Sequence, residues 1–147
     1  MEQEKYEQLV ENLFLIMPLL KKKLVKQDLY SEEMDLSPSH IHILLALEEM
    51  GSLSISELAK TVMVSKTNMT PLIQKLIDKN YVERTYDKKD RRYIHISLTE
   101  AGNGFLENHK ALVINGLKGK IAKFNEEELE KLLTSLEALK KLLNNIE

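Results

Sequence analysis

Two helix-start signals, at Ser54 and Ser65, stand so close together that the element between them must be very short. The first opens "SISELAKTV", where Ser54 and Glu57 have the spacing of a capping box: each side chain takes up the other's orphan backbone amide. That helix has to end by "MVS" at 63–65, because Ser65 caps another that runs through Lys79. Met69, Leu72, Ile73, Leu76 and Ile77 lie along one face of this second helix. Asn80 then stands where a left-handed C-terminal cap is expected, a conformation asparagine tolerates. A short helix joined by about four residues to a longer one is a helix-turn-helix.

The neighbouring segments complete a recognisable arrangement. After Asn80, "YVERTY" and "YIHISL" read as two strands, with Ile94, Ile96 and Leu98 alternating with Tyr93, His95 and Ser97. Joined by a polar loop they make a hairpin, and a hairpin placed there is a wing. Upstream, "LSPSHIHILLAL" begins a helix with Ser37 as N-cap and Pro38 first in the helix; Ile41, Leu44, Leu45 and Leu47 are its buried side and Gly51 its end. Residues 3–30 form a long amphipathic helix that Pro18 interrupts and kinks near Phe14. Thr99 caps a helix to about residue 123, loosened by Gly116 and Gly119, and Asn125 with Glu128 caps the last. In that last helix Leu132, Leu136, Leu139, Leu143 and Ile146 recur at alternating four and three steps, as in a coiled coil. The expected fold is mainly α with a small β-hairpin: a winged helix-turn-helix domain at 35–99, flanked by dimerisation helices at 1–34 and 100–147.

Composition narrows the setting. The chain has 147 residues, 43% hydrophobic and 30% charged, enough for one soluble domain with helical extensions. There is no cysteine, which excludes disulfides, thiolate zinc sites and thiol redox sensing. The longest apolar run, "LFLIMPLL" at 13–20, is too short to span a bilayer. Glu2, Glu4, Glu7 and Glu11 precede it where a signal peptide would be basic, so a cytoplasmic location is expected.

The net charge of −2 hides a division. Residues 60–92 hold nine basic and four acidic side chains, a local +5 against −7 elsewhere. All three arginines, Arg84, Arg91 and Arg92, lie in this stretch, whereas the lysines are spread along the whole chain. Arginine is chosen over lysine where planar, bidentate geometry matters. A local basic footprint in an acidic chain suits a focused polyanion contact. In a winged helix-turn-helix the second helix enters the major groove. Here it presents Ser65, Lys66, Thr67, Asn68, Thr70 and Gln74 away from its apolar face, short polar groups suited to phosphates and base edges. At the hairpin tip Arg91 or Arg92 can enter the adjacent minor groove, Asp90 can aim Arg92 through a bidentate pair, and Lys88 and Lys89 can rest on phosphates. The alternatives are a generic polar helix face and a surface salt-bridge cluster, the latter worth roughly 0–1 kcal/mol.

With these residues in view, "LSPSHIHILLAL", "SISELAKTVMVSKTNMTPLIQKLIDKNYVER" and "DKKDRRYIHISLTEAG" resemble the multiple-antibiotic-resistance regulator (MarR) family of winged-helix repressors. The likeness covers nearly the whole chain in order; its most specific piece is D-x-x-D-R-R followed by a strand and L-T-x-x-G. The resemblance implies a homodimer formed by the first and last helices on pseudo-palindromic DNA, with Arg92 in the minor groove and Asp90 orienting it. Two departures stand out: Pro71 inside the recognition helix, which frees the Thr67 carbonyl, and Asn80 where the family has glycine. The residues point to a dimer as well. The outer helices carry more apolar stripe, including Leu9, Leu13, Leu132, Leu136, Leu139, Leu143 and Ile146, than a small central domain can cover. A twofold pair would cover both and set two recognition helices one DNA turn, ~34–36 Å, apart. The leucine seam could instead be intramolecular core.

Other functions find less support. No phosphate-cradle, dinucleotide, zincin or nucleophile-elbow motif occurs, and the glutamates at 126–128 sit in a first helical turn where they complement the helix dipole, so no catalysis and no cofactor are expected. His40 and His42 point to opposite sides of one helix. His42 and His109 resemble two histidine positions of zinc-sensing members of the family, but Val113 stands where those have a further histidine, and two ligands do not make a site. The resemblance also implies a small aromatic effector where the dimer helices meet the winged domain, near Met17, Pro18 and the end of the second helix. The expected function is a homodimeric, ligand-responsive repressor of transcription on double-stranded DNA. The other readings are a winged-helix module for a protein or RNA partner and a zinc-responsive regulator.

Overall fold

The computed structural model describes residues 1–24 and 35–146. Its elements, in chain order, are α1 (Glu2–Lys23), α2 (Pro38–Met50), α3 (Ile55–Val62), α4 (Lys66–Asp78), β1 (Val82–Tyr86), β2 (Ile94–Leu98), α5 (Glu100–Ile121) and α6 (Glu126–Leu143). The part of the expected first helix at 25–30 lies outside the described residues. α1 runs through Pro18 as one helix, and α5 through Gly116 and Gly119.

The local signals hold the boundaries. Ser54 accepts from the Glu57 amide at 3.1 Å and the Glu57 carboxylate accepts from the Ser54 amide at 2.9 Å. Asn125 and Glu128 repeat this reciprocal pair at 2.8 and 2.9 Å. Ser65 accepts from the Asn68 amide, and Met63 in the intervening turn takes the left-handed conformation that brings α3 to its end. Asn80 is left-handed as expected (φ 62) and Gly51 also closes α2 at positive φ. At the head of α2 the capping partner of Ser37 is His40: the Ser37 amide donates to His40 Nδ1 at 2.9 Å, and the Ser37 hydroxyl lies 2.7 Å from the same nitrogen.

Two compact units divide the described chain. The central one comprises α2, α3, α4, the hairpin and α5 as far as Leu112. Its core is built from Ile41, Ile43, Leu44, Leu47, Leu58, Met69, Ile73, Leu76, Val82, Ile96 and Leu106. α2 is more enclosed than one apolar stripe implies: His40, Ile43 and Ala46 are buried alongside Ile41, Leu44 and Leu47, while Leu45 is only half-buried. The reason is that α2 meets α3, α4 and β2 at once, so more than one of its faces is covered.

The hairpin is antiparallel, with Val82 opposite Leu98, Arg84 opposite Ile96 and Tyr86 opposite Ile94. Leu53 adds a third lane: its amide donates to the Ile96 carbonyl at 3.1 Å and its carbonyl accepts from the Ile96 amide at 2.7 Å. The hairpin's base is locked to α5 by Thr99, whose hydroxyl donates to the Asn80 carbonyl at 2.6 Å and accepts from the Gly102 amide at 3.0 Å. A Cβ at Gly102 would lie 2.1 Å from the Tyr81 carbonyl oxygen, so glycine alone permits this approach. The terminal unit comprises α1, α5 from Val113, and α6. Neither α1 nor α6 buries any residue.

Candidate nucleic-acid interface

The interface begins with the geometry of α4. Its apolar side is spent inward, with Met69, Ile73 and Leu76 fully buried. Ser65, Lys66, Thr67, Asn68, Thr70 and Gln74 are all exposed. Three of these are already engaged, Gln74 among them. Ser65 is the N-cap, and the Thr70 hydroxyl donates to the Lys66 carbonyl at 3.5 Å. α4 continues through Pro71, which lies exposed on the same outward side as Thr67 and Gln74. Proline has no amide to give the Thr67 carbonyl, so an acceptor of the helix is left without its ordinary i+4 donor there.

Gln74 has partners that sequence reasoning did not anticipate. Arg84 Nη2 donates to Gln74 Oε1 at 3.2 Å, and Gln74 Nε2 donates to Asp78 Oδ1 at 2.9 Å. On another side of α4, Lys75 donates to Asp35 at 2.9 Å and Lys79 lies 3.9 Å from the same carboxylate. The hydrogen bond and charge of Lys75 hold Asp35 below the ordinary carboxylate pKa. α4 is thus tied by β1 and by the residue that leads into α2. Neither link leaves a periodic trace in the sequence, because each joins positions far apart in the chain.

The wing loop is ordered by its own acids. The Asp87 amide donates to the Tyr93 carbonyl at 3.0 Å, and the Tyr93 amide to the Asp90 carbonyl at 3.1 Å. Asp87 also accepts from the Lys89 amide at 2.9 Å, and its second oxygen stands 3.7 Å from His95 Nε2. Asp90 grips Arg92 twice over. Arg92 Nη2 donates to Oδ2 at 2.8 Å, Nε is shared between Oδ1 at 3.1 Å and Oδ2 at 3.2 Å, and the Arg92 amide also donates to Oδ1 at 3.0 Å. Arg92, through its hydrogen bonds, pulls the Asp90 carboxyl below its usual pKa, and Asp90 raises that of the guanidinium. The Arg92 side chain is nonetheless 89% exposed. A planar fork aimed by a fixed carboxylate, with its other donors in solvent, is prepared for an outside acceptor. Lys88, Lys89 and Arg91 are exposed around it, and Tyr86, Asp87, Lys88 and Arg91 line an open recess on the wing.

The remaining sites behave differently. His42 is exposed on α2, whereas His109 is buried on α5 with its ring 6.1 Å from that of Phe105. Burial lowers the pKa of His109. Among the described residues no three metal-ligating side chains converge, and no helix is long and apolar enough to cross a membrane. Of the seven residues expected at a dimer contact, Leu132 is half-buried within one chain. Leu9, Leu13, Leu136, Leu139, Leu143 and Ile146 are exposed.

Comparison with known proteins places this geometry among relatives. Residues 36–94, the span from the head of α2 to the start of β2, match the model of the MarR family. The chain is 32% identical over 128 residues to the HTH-type transcriptional repressor MdtR of Bacillus subtilis, covering 84% of this chain and 80% of that one. It is 38% identical over 89 residues to the HTH-type transcriptional regulator SarZ of Staphylococcus aureus, covering 60% of each. Among solved structures, a MarR family protein from Bacillus stearothermophilus superposes with a TM-score of 0.79 over 99% of both chains at 21% identity.

Proposed function

Since this chain belongs to the MarR family and is a DNA-binding transcriptional regulator, we propose that it acts as a homodimeric repressor on a pseudo-palindromic operator and responds to a small aromatic effector. The observation that carries the operator reading is the Asp90–Arg92 brace. An exposed guanidinium held in register by three side-chain hydrogen bonds suits the narrow, strongly negative minor groove. α4 in the neighbouring major groove would bring Lys66, Thr67 and Asn68 to base edges and phosphates. The uncovered leucines of α1 and α6 support the dimer, because helices with no buried side chain gain little from their own chain. The effector, and a cytoplasmic site of action, belong to the same reading.

A gel-shift titration tests it. Arg92→Ala should weaken binding to a selected duplex by about tenfold or more, while sedimentation still reports a dimer. Unchanged affinity would remove the wing from the interface. Wild-type affinity should also fall steeply with added salt while a preference for one palindrome over scrambled duplex persists. Binding without that preference would favour a protein or RNA partner.

A further inference from the structure

Arg84 is the arginine that the wing does not account for. It stands opposite Ile96 in the hairpin, and directly opposed residues of an antiparallel pair share a face. Ile96 is fully buried, so the stem of Arg84 lies on the side turned towards the helices. Its head emerges at α4, where it donates to Gln74, which in turn donates to Asp78.

A guanidinium can only donate and a carboxylate can only accept. Between these two, the carboxamide of Gln74 has one stable polarity: oxygen towards Arg84, nitrogen towards Asp78. The flipped amide would set N–H against N–H at one end and oxygen against carboxylate at the other. We propose that Arg84 is a specificity-determining positioning residue, which with Asp78 locks the Gln74 carboxamide so that α4 offers base edges a fixed N–H donor. A free glutamine could turn either its oxygen or its nitrogen towards a base, and so would discriminate less. The locked amide keeps one Nε2 hydrogen and one Oε1 lone pair, each at a fixed place, and the hydrogen suits guanine O6 or N7 or thymine O4. All three side chains are exposed, so in water these bonds contribute little to stability. Their strength rises once a duplex excludes solvent. This inference rests on the DNA-reading proposal above and concerns what that helix can distinguish.

The test measures binding of the full chain to a selected operator and to each of its single-base variants. Gln74→Leu should cut discrimination about tenfold at one base pair in each half-site. Arg84→Met should cut it at the same base pair, and the double variant should lose nothing more. Arg84→Lys, which keeps a donor, should restore part of the preference. Arg84→Met weakening every duplex by one common factor would overturn the proposal and make Arg84 a phosphate contact. Additive losses in the double variant would overturn it too. If Arg84→Met does not fold, Asp78→Ala, which removes the acceptor outright, gives the same reading from the other end of the chain of bonds, and unchanged discrimination there is fatal. Failure of the DNA-reading proposal is told apart in the arm without variants: a wild-type protein that prefers no sequence.

Discussion

Ile43 and Leu139 are both aliphatic side chains on well-capped helices, yet Ile43 has no exposed surface and Leu139 is 45% exposed. The contrast extends to their units. In the central unit, helices from different parts of the chain meet the hairpin and close a core around Leu44, Ile73, Ile96 and Leu106. In the terminal unit α1 and α6 carry apolar side chains at helical spacing but bury none of them. The same capping chemistry starts α3 and α6, so local rules do not separate the two units. The difference lies in where the covering surface comes from. The central unit finds it within one chain; the terminal unit, on our proposal, finds it in a second copy.

The most direct way to break this comparison is to charge the uncovered seam. Leu136→Glu with Leu139→Glu should convert the dimer to monomer. Each carboxylate buried without a partner costs several kcal/mol, and a twofold contact presents each substitution twice. The dissociation constant should therefore rise by more than about a thousandfold, and palindrome binding should fall with it. Sedimentation equilibrium reads the first effect. Amide exchange at Ile73 and Leu106 should stay protected, because both side chains are buried in the core of the central unit. A wild-type chain that sediments as a monomer at micromolar concentration would sink the dimer.

The complementary experiment damages the central unit alone. In Gly102→Ala the new Cβ meets the Tyr81 carbonyl at 2.1 Å, a backbone atom that cannot swing aside. The base of the hairpin or the start of α5 must move, at a cost of about 1–3 kcal/mol. Gly104, two residues on in the same helix, has nothing within 4 Å of a built Cβ. Gly104→Ala should instead stabilise by about 0.5–1 kcal/mol, through helix propensity alone. Opposite shifts in thermal midpoint, with dimerisation unchanged in both, would sharpen the contrast. Equal shifts would refute the close approach as their cause.

These cases also mark how far the sequence can be read. The capping pairs Ser54–Glu57 and Asn125–Glu128 span three positions and Asp90–Arg92 spans two, so residue type and spacing suffice to see them. The winged helix-turn-helix follows from such signals in order. Asp35–Lys75 spans forty positions and has no period to betray it. Leu53 pairs with the hairpin as a single residue, too short for alternation. Ile43 and Ala46 are buried by elements that arrive later in the chain, which one apolar stripe on α2 does not foretell. Arg84 was visible as a member of an arginine cluster, but its turn towards Gln74 depends on strand register. His40 went unseen as a capping partner because that role ordinarily belongs to Glu or Gln.

The smallest expected effect tests the two units through acid. All four histidines, His40, His42, His95 and His109, lie in the central unit. His40 Nδ1 accepts from the Ser37 amide, which it can do only while that nitrogen carries no proton. Burial lowers the pKa of His40, and Lys75 adds to this; Asp35 opposes it and Lys79 reinforces it. His109 is lowered by burial in the same direction. A histidine whose folded pKa lies below its unfolded value binds fewer protons when folded. Stability is therefore retained above about pH 6.5 and declines as pH falls from there towards the folded pKa. The thermal midpoint of the central unit should accordingly drop between pH 7.5 and pH 5.5, roughly the range in which unfolded histidines charge. His40→Gln keeps an acceptor at the capping position but has no proton to gain, so it should flatten part of that slope. Adding His109→Gln should flatten more. Amides of α6, followed by hydrogen exchange over the same range, should show no matching acid response. An equal response in both units would mean that their stabilities are coupled, and the separation drawn between a self-covered core and an uncovered seam would fail.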